Sequence, residues 1–169
     1  MNNLEKRARI FATKWHGDQK RKYTFEPYVT HPLAVAELVK SVPHTEEMVA
    51  AALMHDLAED TECTIELIRN EFGREVADLV GWLTDVSKPE DGNREVRKTL
   101  DREHTAEAPR EAKTIKLADL IDNSKSIMKY DPDFAKIYLR EKRLLLDESL
   151  KDGDPYLWAM ADEIVRKHL

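Results

Sequence analysis

The sequence predicts an all-α protein, a single helical bundle of about eight to ten helices over residues 1–169. Apolar residues recur at intervals of three and four along most of the chain, which is the period of an amphipathic helix. The polar segments between these stretches are short and contain Gly or Pro. Runs of β-branched residues joined by Asn-Gly turns, which would indicate hairpins, are missing. The expected core spans residues 4–150, with a C-terminal helix over 155–169.

In the first half of the chain, most predicted helices begin at a residue that can cap them. The first has an apolar stripe at positions 4, 8, 11, 12 and 15. A Thr side chain can accept a hydrogen bond from the first turn of a helix, and Thr30, Thr45 and Thr64 each precede a helical pattern. Gly73 separates two helices. The predicted helices cover residues 4–15, 32–39, 45–58, 64–73 and 74–86, with a polar loop over 17–30.

In the second half, Pro and Gly residues mark the boundaries. Residues 87–92 contain both and predict a loop. Pro109 and Pro132 suit a first helical turn, because Pro lacks the N–H that would be unsatisfied there. Residues 152–155, Asp-Gly-Asp-Pro, predict a turn before the last helix. The predicted helices cover residues 93–104, 109–129, 131–150 and 156–169.

The composition argues against several classes of protein. A net charge of -6 disfavours broad binding to nucleic-acid phosphates. No apolar run approaches the roughly 20 residues that cross a bilayer, and the first residues lack the apolar centre of a signal peptide. Cys63 is the only cysteine, so no internal disulfide can form. A cytoplasmic protein without membrane or nucleic-acid partners is therefore expected, and a homo-oligomer is possible.

A cluster of ionisable residues interrupts the apolar segment that follows Ala50. His55 and Asp56 are adjacent, and Glu59 and Asp60 follow one turn later. Residues four apart are neighbours on a helix, so this pattern predicts one ionisable strip. Burying such groups is costly unless a charge compensates them. A divalent metal would do so, and imidazole with carboxylate suits Mn, Fe, Co, Ni or Zn. The alternative for the last two acids is a solvated helix face.

Two isolated residues extend the candidate ligand set. His31 lies upstream in Val-Thr-His-Pro, and Asp119 lies downstream among apolar residues in Lys-Leu-Ala-Asp-Leu. Taken alone, such a His is more often a core or capping residue, and a buried Asp only needs some partner. Their occurrence together with the His-Asp pair favours metal-assisted hydrolysis. The other histidines lack this context and are interpreted as structural: His16, His44, His104 and His168.

Three segments carry a resemblance to a known family. They are residues 19–32 (QKRKYTFEPYVTHP), 55–61 (HDLAEDT) and 116–123 (KLADLIDN). In order and spacing they resemble the HD superfamily of metal-dependent phosphohydrolases. Within it, they are similar to the hydrolase domains of RelA/SpoT-type alarmone enzymes and to small stand-alone alarmone hydrolases of the metazoan SpoT homologue type. Two positions depart from the pattern: Phe25 replaces a common Gly, and Asp122 replaces an aromatic residue.

The resemblance implies a role for each matching residue. Glu59 and Asp60 would orient and deprotonate the attacking water, and Asn123 would contact the substrate ribose. The metal, usually Mn²⁺ in this family, would be held by His31, His55, Asp56 and Asp119.

The implied reaction is hydrolysis of the 3′-pyrophosphate of an alarmone such as ppGpp or ppApp. The chain is too short to include a synthetase domain, so a hydrolase-only protein is expected. The alternatives are another HD phosphohydrolase, such as a 5′-nucleotidase or a dNTP triphosphohydrolase, and a nucleotide-binding regulator without turnover. The sequence leaves open whether the base is guanine or adenine.

Substrate phosphates require cations, and two basic segments could supply them. Lys20, Arg21 and Lys22 lie in the loop before His31. A second group follows a predicted helix at spacings of three to five residues. An equally good interpretation of this second group is a solvated helix paired with its own acids. Its members are Arg94, Arg97, Lys98 and Arg102.

Overall fold

The computed structural model describes residues 2–169. Those residues form ten α-helices and one short 3₁₀ turn, and within that range no strand is present, so the all-α prediction is confirmed. The chain divides into two compact units, one ending at Thr84 and one spanning Asp85–Leu169. That the whole chain acts as a single domain stays a prediction. No described helix is long and apolar enough to cross a membrane.

The first unit is built around a buried apolar helix. Every residue from Met48 to Met54 on α3 is buried, and α1, α2 and α6 all pack against this helix. Ala8 and Ala12 of α1 are fully buried, and such small side chains let helices approach closely. The helices of this unit are α1 (Asn3–His16), α2 (Thr30–Lys40), α3 (Glu46–Met54), α4 (Leu57–Asp60), α5 (Ile65–Phe72) and α6 (Arg74–Leu83).

The second unit is organised around its longest helix, α8, which packs against α9 and α10. Ile115, Leu117 and Leu120 of α8 are almost completely buried, which fixes this helix in the core of the unit. After the 3₁₀ turn Pro89–Asp91, the helices are α7 (Arg94–Ala106), α8 (Arg110–Tyr130), α9 (Pro132–Glu148) and α10 (Pro155–His168).

Two of the three predicted Thr caps are confirmed. Thr45 Oγ1 accepts a hydrogen bond from the Met48 N–H at 3.2 Å, and Thr64 Oγ1 accepts one from the Leu67 N–H at 3.1 Å. The prediction for Thr30 is wrong, since this residue is the first of α2. Its hydroxyl donates to the Pro27 carbonyl at 2.8 Å instead, so its oxygen serves the preceding turn.

The predicted helix over 45–58 is interrupted, and this interruption creates the candidate site. Helix α3 ends at Met54, and α4 begins at Leu57. The His55 ring bonds the Ala52 carbonyl through Nδ1 at 2.6 Å. In a continuous helix that carbonyl would accept the N–H of Asp56. The imidazole therefore competes with the backbone where the helix stops.

The helix predicted over 74–86 also ends early, at Leu83. The chain leaves the helical path because other acceptors capture its next amides. The N–H groups of Val86 and Ser87 both donate to Asp101 Oδ1 at 2.9 Å, and the Ser87 hydroxyl donates to Asp101 Oδ2 at 2.7 Å. The other helix ends lie within two or three residues of their predicted positions.

The loop between α1 and α2 contains an unusual backbone conformation. Phe25 has a φ of 61°, in the left-handed region that favours Gly, and its side chain is 75% exposed. Its N–H donates to the Arg21 carbonyl, which closes a tight turn. This is the position where the resembling family commonly has Gly, so the family pattern matches a backbone requirement that this chain meets with an aromatic residue.

Candidate metal centre

Three of the predicted ligands converge in the first unit. His31 lies on the first turn of α2, and His55 and Asp56 lie between α3 and α4. One potential ligand atom from each residue falls within 4.8 Å of the other two. The Nε2 atoms of His31 and His55 lie 3.6 Å and 3.2 Å from Asp56 Oδ2. Both His side chains are almost completely buried.

The chemistry of this donor set fits a divalent metal. A carbonyl oxygen can only accept, so the contact with Ala52 fixes the proton of neutral His55 on Nδ1. Its Nε2 then carries a lone pair facing an anionic oxygen of Asp56. Two acceptors at this separation repel one another unless a cation lies between them. Imidazole nitrogens with a carboxylate are ligands that bind Mn, Fe, Co, Ni or Zn.

Tyr28 holds the carboxylate of this group. Its hydroxyl donates to Asp56 Oδ2 at 2.7 Å, and its ring lies 5.9 Å from the ring of His31. Hydrogen bonds from such neighbours orient metal ligands and are part of a functional site. The contact of Tyr28 with Asp56 was not predicted from the sequence, although Tyr28 stands three positions before the candidate ligand His31 in the motif that carries the family resemblance.

The two candidate acid–base residues differ in their surroundings. Glu59 and Asp60 are both exposed at their place on α4. Partial burial of the Asp60 carboxyl, followed by the nearby charge of Asp56, raises its pKa above the ordinary value. The Tyr28 hydroxyl, the nearby imidazole of His16 and the Gln19 side chain act in the opposite direction. Asp60 therefore combines access from solvent with fixed contacts to protein donors.

The predicted ligand Asp119 lies on α8 in the second unit, where it is 8% exposed. Asn123, one turn later, donates from Nδ2 to Asp119 Oδ1 at 3.0 Å. Lys116 Nζ lies 3.4 Å from the other carboxylate oxygen. These contacts orient the carboxylate along the helix. Metal ligation by Asp119 and ribose contact by Asn123 stay predictions.

The loop between α1 and α2 contains three basic side chains, of which two are exposed. Lys20 and Lys22 are exposed and Arg21 is half-buried. Lys20 pairs through its backbone with Pro27, and Lys22 Nζ lies 5.4 Å from the ring centre of Tyr23. A contact between these three cations and substrate stays a prediction.

The four basic residues of α7 have different surroundings. Arg94 binds Glu141, and Arg102 binds Glu148, each at 2.7 Å. Their partners come from α9, whereas the sequence suggested partners on α7 itself. Arg97 has a buried Nε without a hydrogen-bond partner among the described residues. Lys98 lines two pockets of the second unit.

One of these pockets collects three Lys side chains from three helices. Lys98 of α7, Lys116 of α8 and Lys142 of α9 all line it, together with Arg102 and with the acids Asp85, Asp101 and Glu141. Loss of water around the Lys142 ammonium, reinforced by the charges of Lys116 and Lys98, lowers its pKa to about 8. Its Nζ also lies 4.9 Å from the ring centre of Tyr138. Lys116 and Lys142 were missed as pocket residues because nothing in the local pattern of their helices indicates this convergence.

Comparison with known proteins gives one family and several relatives. A sequence model of one protein family, described as HD domain, matches residues 8–138. The guanosine-3′,5′-bis(diphosphate) 3′-pyrophosphohydrolase MESH1 of Xenopus tropicalis is 35% identical over 132 residues, which cover 75% of this chain and 70% of that protein. Other relatives are longer: the Aquifex aeolicus protein named for the same hydrolysis is 39% identical over 138 residues, which cover 80% of this chain but only 19% of that protein.

A solved structure supports the same grouping. It is described as a metazoan orthologue of SpoT that hydrolyses ppGpp, and it matches with a TM-score of 0.87 at 29% identity. The match covers 99% of this chain and 96% of that chain. A second solved structure, of the Listeria monocytogenes protein lmo0812, matches with a TM-score of 0.70 over 86% of this chain and 98% of that chain, also at 29% identity.

Proposed function

Because the chain belongs to the HD-domain family that includes the MESH1 hydrolases, we propose that it hydrolyses the 3′-pyrophosphate of a guanosine or adenosine alarmone. Water would attack the phosphorus next to the ribose, the bond from the 3′ oxygen to phosphorus would break, and pyrophosphate would leave. With ppGpp the other product is GDP. The observation that carries the proposal is the convergence of three ligand atoms within 4.8 Å.

The proposed ligands are His31, His55 and Asp56 of the first unit, with Asp119 added on the basis of the family resemblance. A bound divalent ion, which we propose is Mn²⁺, supplies Lewis-acid polarisation of a phosphoryl oxygen and acidifies water. The protein's part is to orient these side chains. The Ala52 carbonyl fixes the tautomer of His55, and the Tyr28 hydroxyl fixes the carboxylate of Asp56.

Proton transfer is assigned to the acids of α4. Asp60 or Glu59 would accept a proton from the attacking water, as a general base does. The raised pKa of Asp60 supports this role, because a stronger base accepts a proton more readily. Because both carboxylates are exposed, substrate and water can reach them.

The substrate carries two diphosphate groups, and the proposed contacts for them are cations. The pocket that contains Lys98, Lys116 and Lys142 offers three ammonium groups within one concave surface. Desolvated cations bind phosphate more strongly than cations surrounded by water. Arg97, Arg102 and the loop cations Lys20, Arg21 and Lys22 are proposed as further phosphate contacts, and Asn123 as the ribose contact.

Hydrolysis by the purified protein tests the function. It would be incubated with Mn²⁺ and, separately, with ppGpp, ppApp, a dNTP and a 5′-monophosphate, and the products would be resolved by anion exchange. Pyrophosphate with GDP or ADP is the expected result and would also identify the base. Turnover of only the dNTP or the monophosphate would contradict the proposal, and so would no turnover by protein that retains its metal.

A second experiment tests the fourth ligand. Asp119→Ala is expected to reduce the bound Mn²⁺ measured by elemental analysis, while far-UV circular dichroism stays helical. The matched control is Asp133→Ala, which removes an exposed carboxylate of the same unit. Equal metal content in the two variants would exclude Asp119 as a ligand.

A further inference from the structure

A buried His outside the ligand set lies at the end of α1. His16 is only 4% exposed, and its Nδ1 lies 3.0 Å from Gln19 Oε1. Its Nε2 is buried and has no hydrogen-bond partner among residues 2–169. Its sequence context suggested only a structural role. Its surroundings in the fold connect it to Asp60 of α4.

The contact with His16 determines how Gln19 can act. An amide oxygen only accepts, so His16 must donate from Nδ1, and this fixes the side-chain amide of Gln19 in one orientation. The amide N–H₂ of Gln19 then remains as the donor. Gln19 makes a side-chain hydrogen bond with Asp60 that favours the charged carboxylate. A chain of two hydrogen bonds thus runs from His16 through Gln19 to Asp60.

The same His also packs against the second residue that contacts Asp60. The ring centres of His16 and Tyr28 lie 4.8 Å apart. The Tyr28 hydroxyl donates to Asp56 at 2.7 Å, and it also lies close enough to Asp60 to favour the charged carboxylate. His16 therefore contacts both side chains that favour the charged form of Asp60, Gln19 by a hydrogen bond and Tyr28 by ring packing.

A purely structural role accounts less well for this arrangement. A buried polar atom without a partner destabilises a fold by about 1–3 kcal/mol. An apolar side chain at position 16 would avoid the unsatisfied Nε2 and could still pack on Tyr28. An apolar side chain could not orient the Gln19 amide, because this requires a donor at the position of Nδ1. The chain has His at this position although the Nε2 atom is left unsatisfied.

We propose that His16 and Gln19 are positioning residues that hold the Asp60 carboxylate in place to receive the proton of the attacking water. The inference rests on the proposed hydrolase function and adds two residues to its machinery. Neither touches the reacting atoms in this assignment. Their effect is on the rate of the chemical step rather than on the affinity for substrate, since the cations that bind phosphate are other residues.

Two substitutions of His16 separate the hydrogen bond from the bulk of the side chain. In His16→Asn the amide nitrogen takes the place of Nδ1 and keeps the donor to Gln19. In His16→Gln the amide nitrogen takes the place of Nε2, so the donor to Gln19 is lost. Gln19→Glu is the complementary variant, because it keeps an acceptor for His16 but removes the donor to Asp60 and adds a negative charge.

The measurement is kcat and KM for ppGpp and ppApp, with Mn²⁺ content and circular dichroism measured on the same samples. We expect His16→Gln and Gln19→Glu to lower kcat by about 10- to 100-fold, as is usual for residues that orient a metal or catalytic group. KM, metal content and helicity should change little. His16→Asn should stay within about threefold of the wild-type kcat, because its lost contacts are worth less than one net hydrogen bond.

The outcomes distinguish this inference from the proposed function. If the wild type hydrolyses neither alarmone, the proposed function fails and the inference fails with it. If the wild type is active but His16→Asn and His16→Gln have the same kcat, only the positioning role is overturned. Parallel losses of kcat and Mn²⁺ content would also overturn it, since His16 would then act on the metal site as a whole.

Discussion

The two ring nitrogens of His55 have different tasks. Nδ1 bonds the Ala52 carbonyl at 2.6 Å, and Nε2 faces Asp56 Oδ2 at 3.2 Å. The first contact ends helix α3, and the second presents a lone pair to the candidate metal position. A single side chain thus links the local backbone geometry to the ligand geometry. This explains why the helix break and two of the candidate metal ligands fall on the same residues, His55 and Asp56.

Lys142 shows how a buried charge can oppose stability at the residue scale. Its pKa is about 8 in the fold, below the ordinary value of 10.5, because its ammonium loses water and faces Lys116 and Lys98. Below about pH 8 the charge is present in both folded and unfolded chains, and its full cost to the fold applies. As the pH rises from 8 toward 10.5, the folded chain releases this proton first, so stability increases.

Lys142→Met is therefore expected to stabilise the protein at pH 7 by up to about 3 kcal/mol, because it removes a desolvated cation. The gain should shrink between pH 8 and 10.5. Urea unfolding at pH 7, 8.5 and 10 would measure it, with Lys136→Met, an exposed position on the same helix, as the control. Loss of stability at pH 7 in the Lys142 variant alone would contradict the prediction. The same variant should weaken substrate binding if the pocket holds phosphate.

At the scale of the element, the helices of this chain begin mostly at side-chain caps. Asn2, Thr45, Thr64, Asn93, Asp131 and Asp154 each accept a backbone N–H at the start of a helix. These contacts are local, so they are readable from the sequence. The cap of α10, Asp154, is also buried. Loss of its hydrogen bond should therefore cost more stability than loss of the other five caps.

Asp154→Ala should test that cap. Asp154 Oδ1 accepts from the Leu157 N–H at 2.9 Å, and the Asp154 N–H donates to Thr114 Oγ1 at 3.0 Å. Losing a cap acceptor costs about 1–2 kcal/mol, which for a chain of this length lowers Tm by about 3–6 °C. Asp154→Asn keeps an acceptor and should lose much less. Thermal unfolding followed by circular dichroism would compare them, and an equal Tm for both variants would exclude the capping contribution.

At the scale of the whole molecule, metal binding and folding should be linked. The three converging donors are contributed by α2 and by the segment between α3 and α4, and an unfolded chain does not hold them together. A ligand that binds only the folded state stabilises it by about 2.7 kcal/mol when its concentration is 100 times its Kd. The site therefore gives the molecule a stability that depends on metal concentration.

Treatment with a chelator should accordingly lower Tm, and added Mn²⁺ should restore it in a concentration-dependent manner. Mg²⁺ should restore less, because it prefers oxygen ligands to imidazole. Asp56→Asn keeps the shape of the side chain but removes its charge, and its Tm should hardly respond to Mn²⁺. Differential scanning calorimetry would measure the Tm after chelation, the Tm after addition of Mn²⁺ or Mg²⁺, and the Tm of the Asp56→Asn variant. A Tm of the wild type that does not depend on the chelator would contradict a metal site formed by these residues.

Features that depend on near neighbours could be predicted from the sequence. Helical periodicity, the caps at Thr45 and Thr64, and the adjacent pair His55-Asp56 all involve residues within a few positions of each other. The imidazole and carboxylate side chains of His31, His55 and Asp56 predicted a metal site, and the structure brings these three residues together. Such features can be read in advance because a cap or a helical stripe is decided within one or two turns.

Contacts between separate helices produce the features that the sequence did not predict. The sequence predicted an unbroken helix across His55, and it did not connect His16 and Gln19 with Asp60. It also did not show that Lys98, Lys116 and Lys142 share a pocket. The physical reason is that burial and charge depend on which helix faces which, so a Lys that looks solvated on its own helix has its pKa lowered once packing buries it and places it near two others.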